Sequence, residues 1–526
     1  MQASGQPLLS PSRLAIFVLA AGLALALRYP LLDQRPMHND EAVNAVKFGQ
    51  LWTRGVYEYD PNEHHGPALY YATLAVARLT STPDLEHLTE VKLRLITVLF
   101  GCGLVLLLPF VADGLGRNAA VWAAGFTAIS PAMVFYSRYY IHEMLLVFFG
   151  FLALAAGWRY WRSRRLGWAL LTGAAGGLMH ATKETFLLTL AAAALAWAAN
   201  RIWNRWVDAA SPPAIQPPLN LKHLAAALVL WLIVAAVLFS SFFTHAGGLL
   251  DSVRTYLPWL HRAGGVSPHI HPWSFYLHRL IFFHVAKGPV WSEGLIVALA
   301  LVGAVVGFAR KGLADANASF VRFMAFYTGV LTVLYSLIPY KTPWCLLSFW
   351  QGMILLAGVG AAALLRSIKR GFPRIALGVA LLAGSAHLAW QSWQAAVPFA
   401  SDRRNPYVYA QTSPDILKLV QQVEALAKVC PQGRQMPVKV MAPESDYWPL
   451  PWYLRRFERI GWWDRVPPDP FAPVMIVSAG LQAALDEKQT HLMVGYFALR
   501  PGVFFELYVN LDLWRGYLSK NPPRPD

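Results

Sequence analysis

The first residues suited to chemistry form an acidic pair, in the segment His38-Asn39-Asp40-Glu41-Ala42. An amphipathic stretch follows this pair and predicts a helix. A carboxylate at such a helix N-terminus can take a proton from an acceptor hydroxyl group, and we assign that role to Asp40. The structural alternative is that Asp40 or Asn39 only caps the helix, while Glu41 favours the helix dipole.

Two short turns between apolar runs carry further charges. In the first turn, Ser137-Arg138 precedes Glu143. The alternative to a functional role is that Arg138 snorkels to the membrane surface and Glu143 favours the start of the next helix. In the second turn, Lys183 is adjacent to Glu184, and such a pair is more typical of a structural contact than of catalysis.

A third turn places one lysine between two prolines, in Pro339-Tyr340-Lys341-Thr342-Pro343. The prolines rigidify the turn, so its geometry suits a cation that must be aimed at a phosphate. The alternative is an interfacial anchor, with Tyr340 and the following tryptophan in the aromatic belt of a membrane.

A histidine-rich segment between residues 57 and 67 suggests half of a metal site or a clamp for an anionic headgroup. Within eight residues it holds Glu58, Asp60, Glu63, His64 and His65. A second pair, His269 and His271, could complete the site. We therefore name a divalent cation as a candidate cofactor and Glu63, His65, His269 and His271 as its candidate ligands. The alternative is a solvated turn.

Composition determines the class of protein that must position these residues. Of 526 residues, 56% are hydrophobic and 14% are charged, whereas soluble domains carry roughly 25% charged residues. Residues 400–526 hold 28 of the 74 charged residues. This division predicts a membrane domain over residues 1–393 and a soluble α/β domain over residues 394–526.

Eleven apolar runs are long enough, or nearly so, to span a membrane. They cover residues 14–32, 92–112, 119–136, 144–161, 166–181, 185–203, 223–243, 290–309, 319–338, 345–365 and 374–393. The predicted fold class is therefore an α-helical polytopic membrane protein with about 11 transmembrane helices. The shorter run 67–79 is interpreted as an interfacial helix within an outer loop over residues 33–91.

The charge of the loops predicts the orientation of the spans. With the N-terminus inside, the inner segments carry fifteen basic residues: Arg13, Arg117, Arg159, Arg162, Arg164, Arg165, Arg201, Arg205, Lys222, Arg310, Lys311, Arg366, Lys369, Arg370 and Arg374. The short outer turns carry one each. This asymmetry follows the positive-inside rule. It also explains the net charge of +16 without nucleic-acid binding.

The acids and the tail complete the arrangement. None of the predicted spans has a charge at its centre, which argues against ion-coupled transport. The tail is predicted to hold a helix over 414–429, short strands over 438–441 and 473–477, and a hairpin formed by 492–499 and 503–509. By the parity of the spans, this small domain lies on the extracytoplasmic side.

These motifs, in this order, resemble the GT-C superfamily of polytopic glycosyltransferases, including protein O-mannosyltransferases and aminoarabinose transferases. The matching residues are Asp40-Glu41, the segment Pro67-Ala68-Leu69-Tyr70-Tyr71, and Ser137-Arg138 ahead of Glu143. The whole chain looks closer to a subgroup labelled flippase-activity-associated proteins, through the turn at 339–344 and a tail segment at 447–453. One departure is that the aminoarabinose transferases have Lys-Pro-Pro where this chain has His65-Gly66-Pro67.

The resemblance implies an enzyme that transfers a sugar from a polyprenyl-phosphate donor to an acceptor hydroxyl outside the cytoplasm, with inversion. Asp40 is then the base, and Glu143 orients the acceptor or steadies positive charge on the sugar ring. The implied catalytic residues are Asp40, Glu41 and Glu143, and the implied ligands of the donor phosphate are Arg138, Lys341 and Lys183. The partners would be this donor, membrane lipids and a protein, lipid or glycan acceptor, without nucleic acid.

Two other functions remain open from sequence. The chain could assist flipping of a lipid-linked sugar without chemistry, or it could be an inactive scaffold that binds a partner. All three place a multi-pass protein in the cell inner (plasma) membrane, with the C-terminal domain extracytoplasmic.

Overall fold

The computed structural model describes residues 10–63, 65–206, 218–265 and 267–522. In chain order its α-helices are α1 (Pro11–Arg28), α2 (Asn39–Arg54), α3 (Ala68–Leu79), α4 (Glu90–Leu107), α5 (Ala112–Leu115), α6 (Arg117–Ile129), α7 (Pro131–Tyr136), α8 (Glu143–Ser163), α9 (Leu166–His180), α10 (Phe186–Trp206), α11 (Leu221–Phe239), α12 (Gly247–Arg254), α13 (Tyr256–Gly264), α14 (Phe275–Ile281), α15 (Gly294–Ala309), α16 (Ala318–Leu337), α17 (Leu347–Ser367), α18 (Phe372–Ala396), α19 (Asp415–Val429), α20 (Leu450–Tyr453) and α21 (Leu511–Lys520). The strands are β1 (Val438–Met441), β2 (Ile460–Trp463), β3 (Val474–Ser478), β4 (His491–Arg500) and β5 (Val503–Asn510).

All eleven predicted apolar runs form helices, so the predicted fold class is confirmed. Within the described ranges, eight helical segments are long and apolar enough to cross a membrane: 11–28, 90–115, 143–163, 186–206, 221–239, 318–337, 343–367 and 372–396. The other three runs are shorter than expected. The run 119–136 breaks into α6 and α7 at Ser130, whose side chain caps α7 ahead of Pro131, and α9 and α15 have 15 and 16 residues.

The helices differ in how deeply they lie within the bundle. In α17, 83% of the apolar window is buried inside the protein, whereas in α11 only 6% is buried. α17 packs closely on α15 because Gly303 and Gly360 face each other's helix. A Cβ atom at either glycine would lie 2.0 Å from a backbone oxygen of the opposite helix, so only glycine allows this contact.

The tail forms a five-stranded sheet in the order β2-β1-β3-β5-β4. Strands β1, β2 and β3 are parallel, and β3, β5 and β4 pair antiparallel. The apolar face of α19, with Ile416, Leu419 and Val423, lies in the core of this sheet. The predicted helix, two strands and hairpin are present, whereas β2 and α21 were not predicted. The division of the chain after residue 393 stays a prediction.

The C-terminal region contacts the first loop directly. Trp452 is fully buried among apolar residues of α2, α3 and α4, and its Nε1 donates to Glu90 at 2.8 Å. The hydroxyl of Tyr453 accepts from the backbone N–H of Met37 at 2.8 Å. These contacts place the C-terminal region beside the start of α2, where the candidate site lies.

Candidate active site at the N-terminus of helix α2

Helix α2 is capped by a histidine. The Nδ1 atom of His38 accepts from the backbone N–H of Asp40 at 3.1 Å, and the carboxylate of Glu41 accepts from the backbone N–H of His38 at 2.9 Å. The other ring nitrogen, Nε2, lies 3.0 Å from the carbonyl oxygen of Tyr409, so we assign the proton of the neutral ring to Nε2. Because His38 does the capping, the side chain of Asp40 stays 44% exposed.

Glu41 has a different environment from its neighbour. It is fully buried and accepts hydrogen bonds from Arg35 at 2.9 Å, Arg94 at 2.8 and 2.9 Å, and the backbone N–H of Tyr140 at 2.9 Å. Burial raises the pKa of this carboxyl, but the two guanidinium groups outweigh burial and hold it well below its usual range. The protein thus saturates Glu41, which favours a positioning role, while its catalytic role stays a prediction.

Arg138 is also committed to the protein. Its guanidinium donates to the carbonyl oxygens of Arg28 at 2.7 Å, Pro30 at 2.6 Å and Leu31 at 3.0 Å. These carbonyls belong to the end of α1 and the turn after it, where helix carbonyls lack intrahelical partners. Burial lowers the pKa of Arg138 to about 9. The prediction that Arg138 binds the donor phosphate is thus not supported by its contacts, which make it a support for the first loop.

The predicted catalytic Glu143 and the predicted phosphate ligand Lys183 bind each other. The Nζ of Lys183 donates to a carboxylate oxygen of Glu143, the first residue of α8, and each side chain is 6% exposed. Burial lowers the pKa of Lys183, but the adjacent carboxylate outweighs it and the net shift is upward. The two side chains therefore form a buried ion pair with no net charge.

Lys341 is a buried cation without a carboxylate partner among the described residues. Its Nζ donates to the carbonyl oxygens of His271, at 3.0 Å, and Ile338. The backbone forms a short antiparallel contact, in which Lys341 N–H donates to His269 at 2.8 Å and His271 N–H donates to Pro339 at 3.1 Å. Burial lowers the pKa of Lys341. A charge stabilised only by carbonyl dipoles gains strongly from a bound anion.

Tyr409, from the segment after α18, connects these elements. Its hydroxyl lies 2.7 Å from Nδ1 of His269 and 3.0 Å from Nε2 of His271. Burial lowers the pKa of both histidines, so they are neutral near pH 7. Burial, and then the negative charge of Asp40, raise the pKa of Tyr340 to about 12. The charge of Asp40 acts on His269 as well, so Tyr340 and His269 both lie near this carboxylate.

The four candidate metal ligands are not assembled. His65 binds Glu184 at 2.8 Å, Glu63 lies 3.5 Å from Arg262, and His269 and His271 both contact Tyr409. Throughout the part of the chain that the structure describes, no three His, Cys, Asp or Glu residues converge as a metal-binding group. The predicted set is therefore corrected to two separate clusters. His64, part of the same motif, lies outside the described residues.

The segment after His65 must lie against the turn at 181–182. The backbone N–H groups of Gly66 and Ala68 donate to the carbonyls of Thr182 at 3.2 Å and Ala181 at 2.8 Å. A Cβ at Gly66 would lie 2.3 Å from the oxygen of Ala181. This close contact gives a physical reason for glycine at a position where the aminoarabinose transferases were expected to have proline.

Sequence reasoning missed three contributors to the site. His38 had a signal, because a Glu three residues after a cap residue forms a capping box, but His is an unusual cap. Glu184 binds His65 and also accepts from the hydroxyl of Tyr59 at 3.1 Å, and nothing local in the sequence indicates that pairing. Tyr409 is 371 positions beyond His38, and its contact with the site arises only from folding.

The fold and the site define a class of protein. An apolar helical bundle carries the candidate site residues at one end, beside a small α/β region, as expected for the fold of the GT-C superfamily of membrane glycosyltransferases. The model of the PMT family, described as Dolichyl-phosphate-mannose-protein mannosyltransferase, matches residues 70–248.

Solved structures agree with this fold. The chain is similar to ArnT from Cupriavidus metallidurans bound to undecaprenyl phosphate, with a TM-score of 0.59 and 16% identity over 93% of this chain and 97% of that chain. For ArnT from the same organism in the apo state, the TM-score is 0.61 and the identity 14%, over 94% and 98% of the two chains. No curated protein sequence matches this chain. The resemblance inferred from sequence is confirmed at the level of the fold.

Proposed function

We propose that this protein transfers a sugar from a polyprenyl-phosphate donor to an acceptor hydroxyl, with inversion, on the outer face of the cell inner membrane. The observation that carries the proposal is the contrast in charge at the α2 N-terminus. Asp40 is a part-exposed carboxylate that is not used for capping, and its charge acts on His269 and Tyr340, the neighbours of the buried cation Lys341. One similar solved structure is described as bound to undecaprenyl phosphate, which supports a lipid-phosphate donor.

The reaction requires one base and one cation. Asp40 takes the proton of the acceptor hydroxyl as its oxygen forms a bond with the anomeric carbon. The bond from that carbon to the phosphate oxygen breaks on the opposite face, and its electron pair stays on the phosphate. Lys341 stabilises the negative charge that develops there. A lipid phosphate is a good leaving group, so no general acid is needed.

The remaining candidates take supporting roles in this proposal. The Glu143–Lys183 pair lines the site and presents a fixed dipole that steadies positive charge on the sugar ring. Glu41 and Arg138 hold the loop from which Asp40 projects. The mechanism uses only these side chains, because the candidate ligands of a divalent cation lie in two separate places. The outer location rests on the excess of basic residues in the inner loops.

The proposal is tested with a panel of radiolabelled polyprenyl-phosphate sugars and purified full-length protein in nanodiscs. Wild type is compared with Asp40→Asn, Glu143→Gln and the matched control Glu58→Gln, whose side chain is 61% exposed in the same loop. We expect label to leave the lipid with wild type and with the control, but not with Asp40→Asn. Equal release by wild type and Asp40→Asn would remove Asp40 as the base. No release from any donor, with donor binding intact, would favour assisted flipping or a scaffold.

A further inference from the structure

A large cleft lies outside the site described above. It has a volume of about 660 Å³, which is in the range of clefts that bury small ligands. We call it the hairpin cleft, because the turn between β4 and β5 forms one wall. It is lined by Leu31, Gln34, Arg35, Ala396, Val397, Pro398, Ala400, Ser401, Asp402, Arg403, Val408, Ala410, Gln411, Ser413, Pro414, Ala498, Arg500, Pro501 and Phe504.

The hairpin cleft and the candidate active site share a wall. In the segment 408–411, Val408, Ala410 and Gln411 line the cleft, whereas the intervening Tyr409 binds the two histidines beside Asp40. The floor of the cleft belongs to the hydrogen-bond network of Glu41, since Arg35 binds that carboxylate at 2.9 Å. The segment 408–411 and Arg35 thus lie between the cleft and the candidate active site.

The charge of the cleft is positive. Three arginines and one acid line it, and the acid, Asp402, already accepts from Arg404 at 3.0 Å. Arg35 pairs with Glu41 and Arg500 pairs with Asp446. Arg403 is exposed and has no ion-pair or hydrogen-bond partner within the described ranges. Arg403 also acts on the charge of Asp402, so an anion that enters the cleft would meet an exposed guanidinium that shares this carboxylate with Arg404.

The other lining groups suit a carbohydrate. Phe504 stacks on Tyr496 with ring centroids 5.1 Å apart, so it is held as a flat apolar surface. Gln34, Ser401 and Ser413 supply amide and hydroxyl groups that can bond to sugar hydroxyls. Pro398 and Ala400 follow α18, and Leu31 follows α1, so the cleft lies at the level where two apolar helices end. Carbohydrate on a lipid anchor could reach this level as readily as soluble carbohydrate.

We infer that the hairpin cleft binds a negatively charged carbohydrate, at a place separated from the candidate active site by the segment 408–411. This inference rests on the lining of the cleft and not on the proposed function. An occupant would contact Arg403 through its anionic group and Phe504 through a ring face. It would also contact the segment 408–411, whose Tyr409 binds His269 and His271. Binding in the cleft would therefore affect the active site.

Binding is measured without turnover, so that failure of this inference differs from failure of the proposed function. The probes are a tetrasaccharide of alternating glucuronic acid and N-acetylglucosamine, the neutral tetrasaccharide of N-acetylglucosamine, and phosphatidylinositol against phosphatidylcholine in nanodiscs. Full-length Asp40→Asn protein serves beside wild type. We expect both to bind an anionic probe at least ~10-fold more tightly than its neutral counterpart, the gain of a single charge-assisted contact.

The variants Arg403→Gln and Phe504→Ala locate the binding in the cleft. Each should weaken the anionic probe by ~5- to 20-fold, while the matched control Arg515→Gln, on α21 and outside the cleft, should leave it unchanged. Binding of the tetrasaccharide indicates a soluble source, and binding of phosphatidylinositol alone indicates a lipid-anchored one. Either result supports the inference. Equal binding of anionic and neutral probes, no binding of any probe, or anionic binding that both cleft variants leave unchanged would overturn it.

Discussion

Two neighbouring carboxylates at the start of α2 belong to regions with opposite character. Around Glu41 the protein is closed, because two arginines and two backbone N–H groups saturate a fully buried carboxylate. Around Asp40 it is open, with a part-exposed carboxylate and neutral histidines. Lys341 there has only carbonyl partners. The comparison teaches that residue type and position in a motif do not by themselves assign a role to a carboxylate. The two carboxylates differ in how many hydrogen-bond and ion-pair partners the protein already gives them.

The largest expected effect comes from the open region. Asp40→Asn keeps the size of the side chain but removes the proton acceptor. We expect the rate of sugar transfer to fall by ~10²- to 10⁴-fold, the usual contribution of a general base. The free energy of unfolding should stay near that of wild type, because His38 rather than Asp40 caps the helix. Single-turnover transfer and chemical denaturation in detergent measure the two quantities. A variant that loses stability but keeps its transfer rate would contradict the comparison.

Glu41→Ala tests the closed region. Removing this carboxylate leaves Arg35 and Arg94 buried without their partner. We expect the free energy of unfolding to fall by ~3–5 kcal/mol, the cost of breaking a buried ion pair. Denaturation of the purified protein measures it, with exposed Glu58→Ala as the control. A fully stable Glu41→Ala protein that has lost transfer would return Glu41 to the catalytic group.

Lys341→Met tests the open region around Asp40, with a smaller expected effect than the two carboxylate variants. A hydrogen bond to a charged group contributes ~1.5–3 kcal/mol, so its loss should raise the donor KM by ~10- to 100-fold. Lys418→Met is the matched control, because Lys418 is a 72% exposed lysine on α19. Initial rates over a range of donor concentrations provide the measurement. An unchanged donor KM with a lower unfolding midpoint would move Lys341 to the closed, structural class.

The smallest expected effect is a dependence of stability on pH. Burial lowers the pKa of His269 and His271 below the ordinary value of 6.5. Between that value and the lowered pKa, the unfolded chain binds more protons than the folded one. Stability should therefore fall as the pH drops through 6.5 and level off below the pKa values of the folded protein.

Thermal midpoints between pH 5 and pH 8 check this dependence. We expect the double variant His269→Gln/His271→Gln to have a shallower slope than wild type, and the control His261→Gln, an exposed position on α13, to keep the wild-type slope. If the double variant kept the full slope, the open region would not be its source.

Much of the fold was predictable because its signals are local. Long apolar runs must find a non-aqueous environment, so all eleven helical regions could be placed from the sequence. The strands of the hairpin have a turn between them at Arg500-Pro501-Gly502, where Gly502 has φ of 83°. The breaks were harder to predict. Ser130-Pro131 ends one helix and caps the next, although the apolar run continues across it.

The candidate site was predictable in part. The acidic pair, Glu143, Lys183 and Lys341 were all correctly singled out as polar groups at one end of the bundle, because charges avoid the centre of a span. Their division into open and closed groups was not predictable. Arg35 is six residues from Glu41, but Arg94 is 53 residues from Glu41 and Lys183 is 40 residues from Glu143. No periodicity or motif records which of these distant cations folding brings to which carboxylate.

By itself, the sequence determined the spans, the predicted orientation and the small set of residue types able to do chemistry, because hydropathy and charge act on each segment separately. The tertiary structure decided which of those residues are available. It neutralised Glu41 and Glu143, committed Arg138 to the end of α1, and separated the candidate metal ligands. It also brought Tyr409 to the histidines beside Asp40. The physical reason is that folding decides which residues pair with a charged side chain. Most of those partners are distant in the chain.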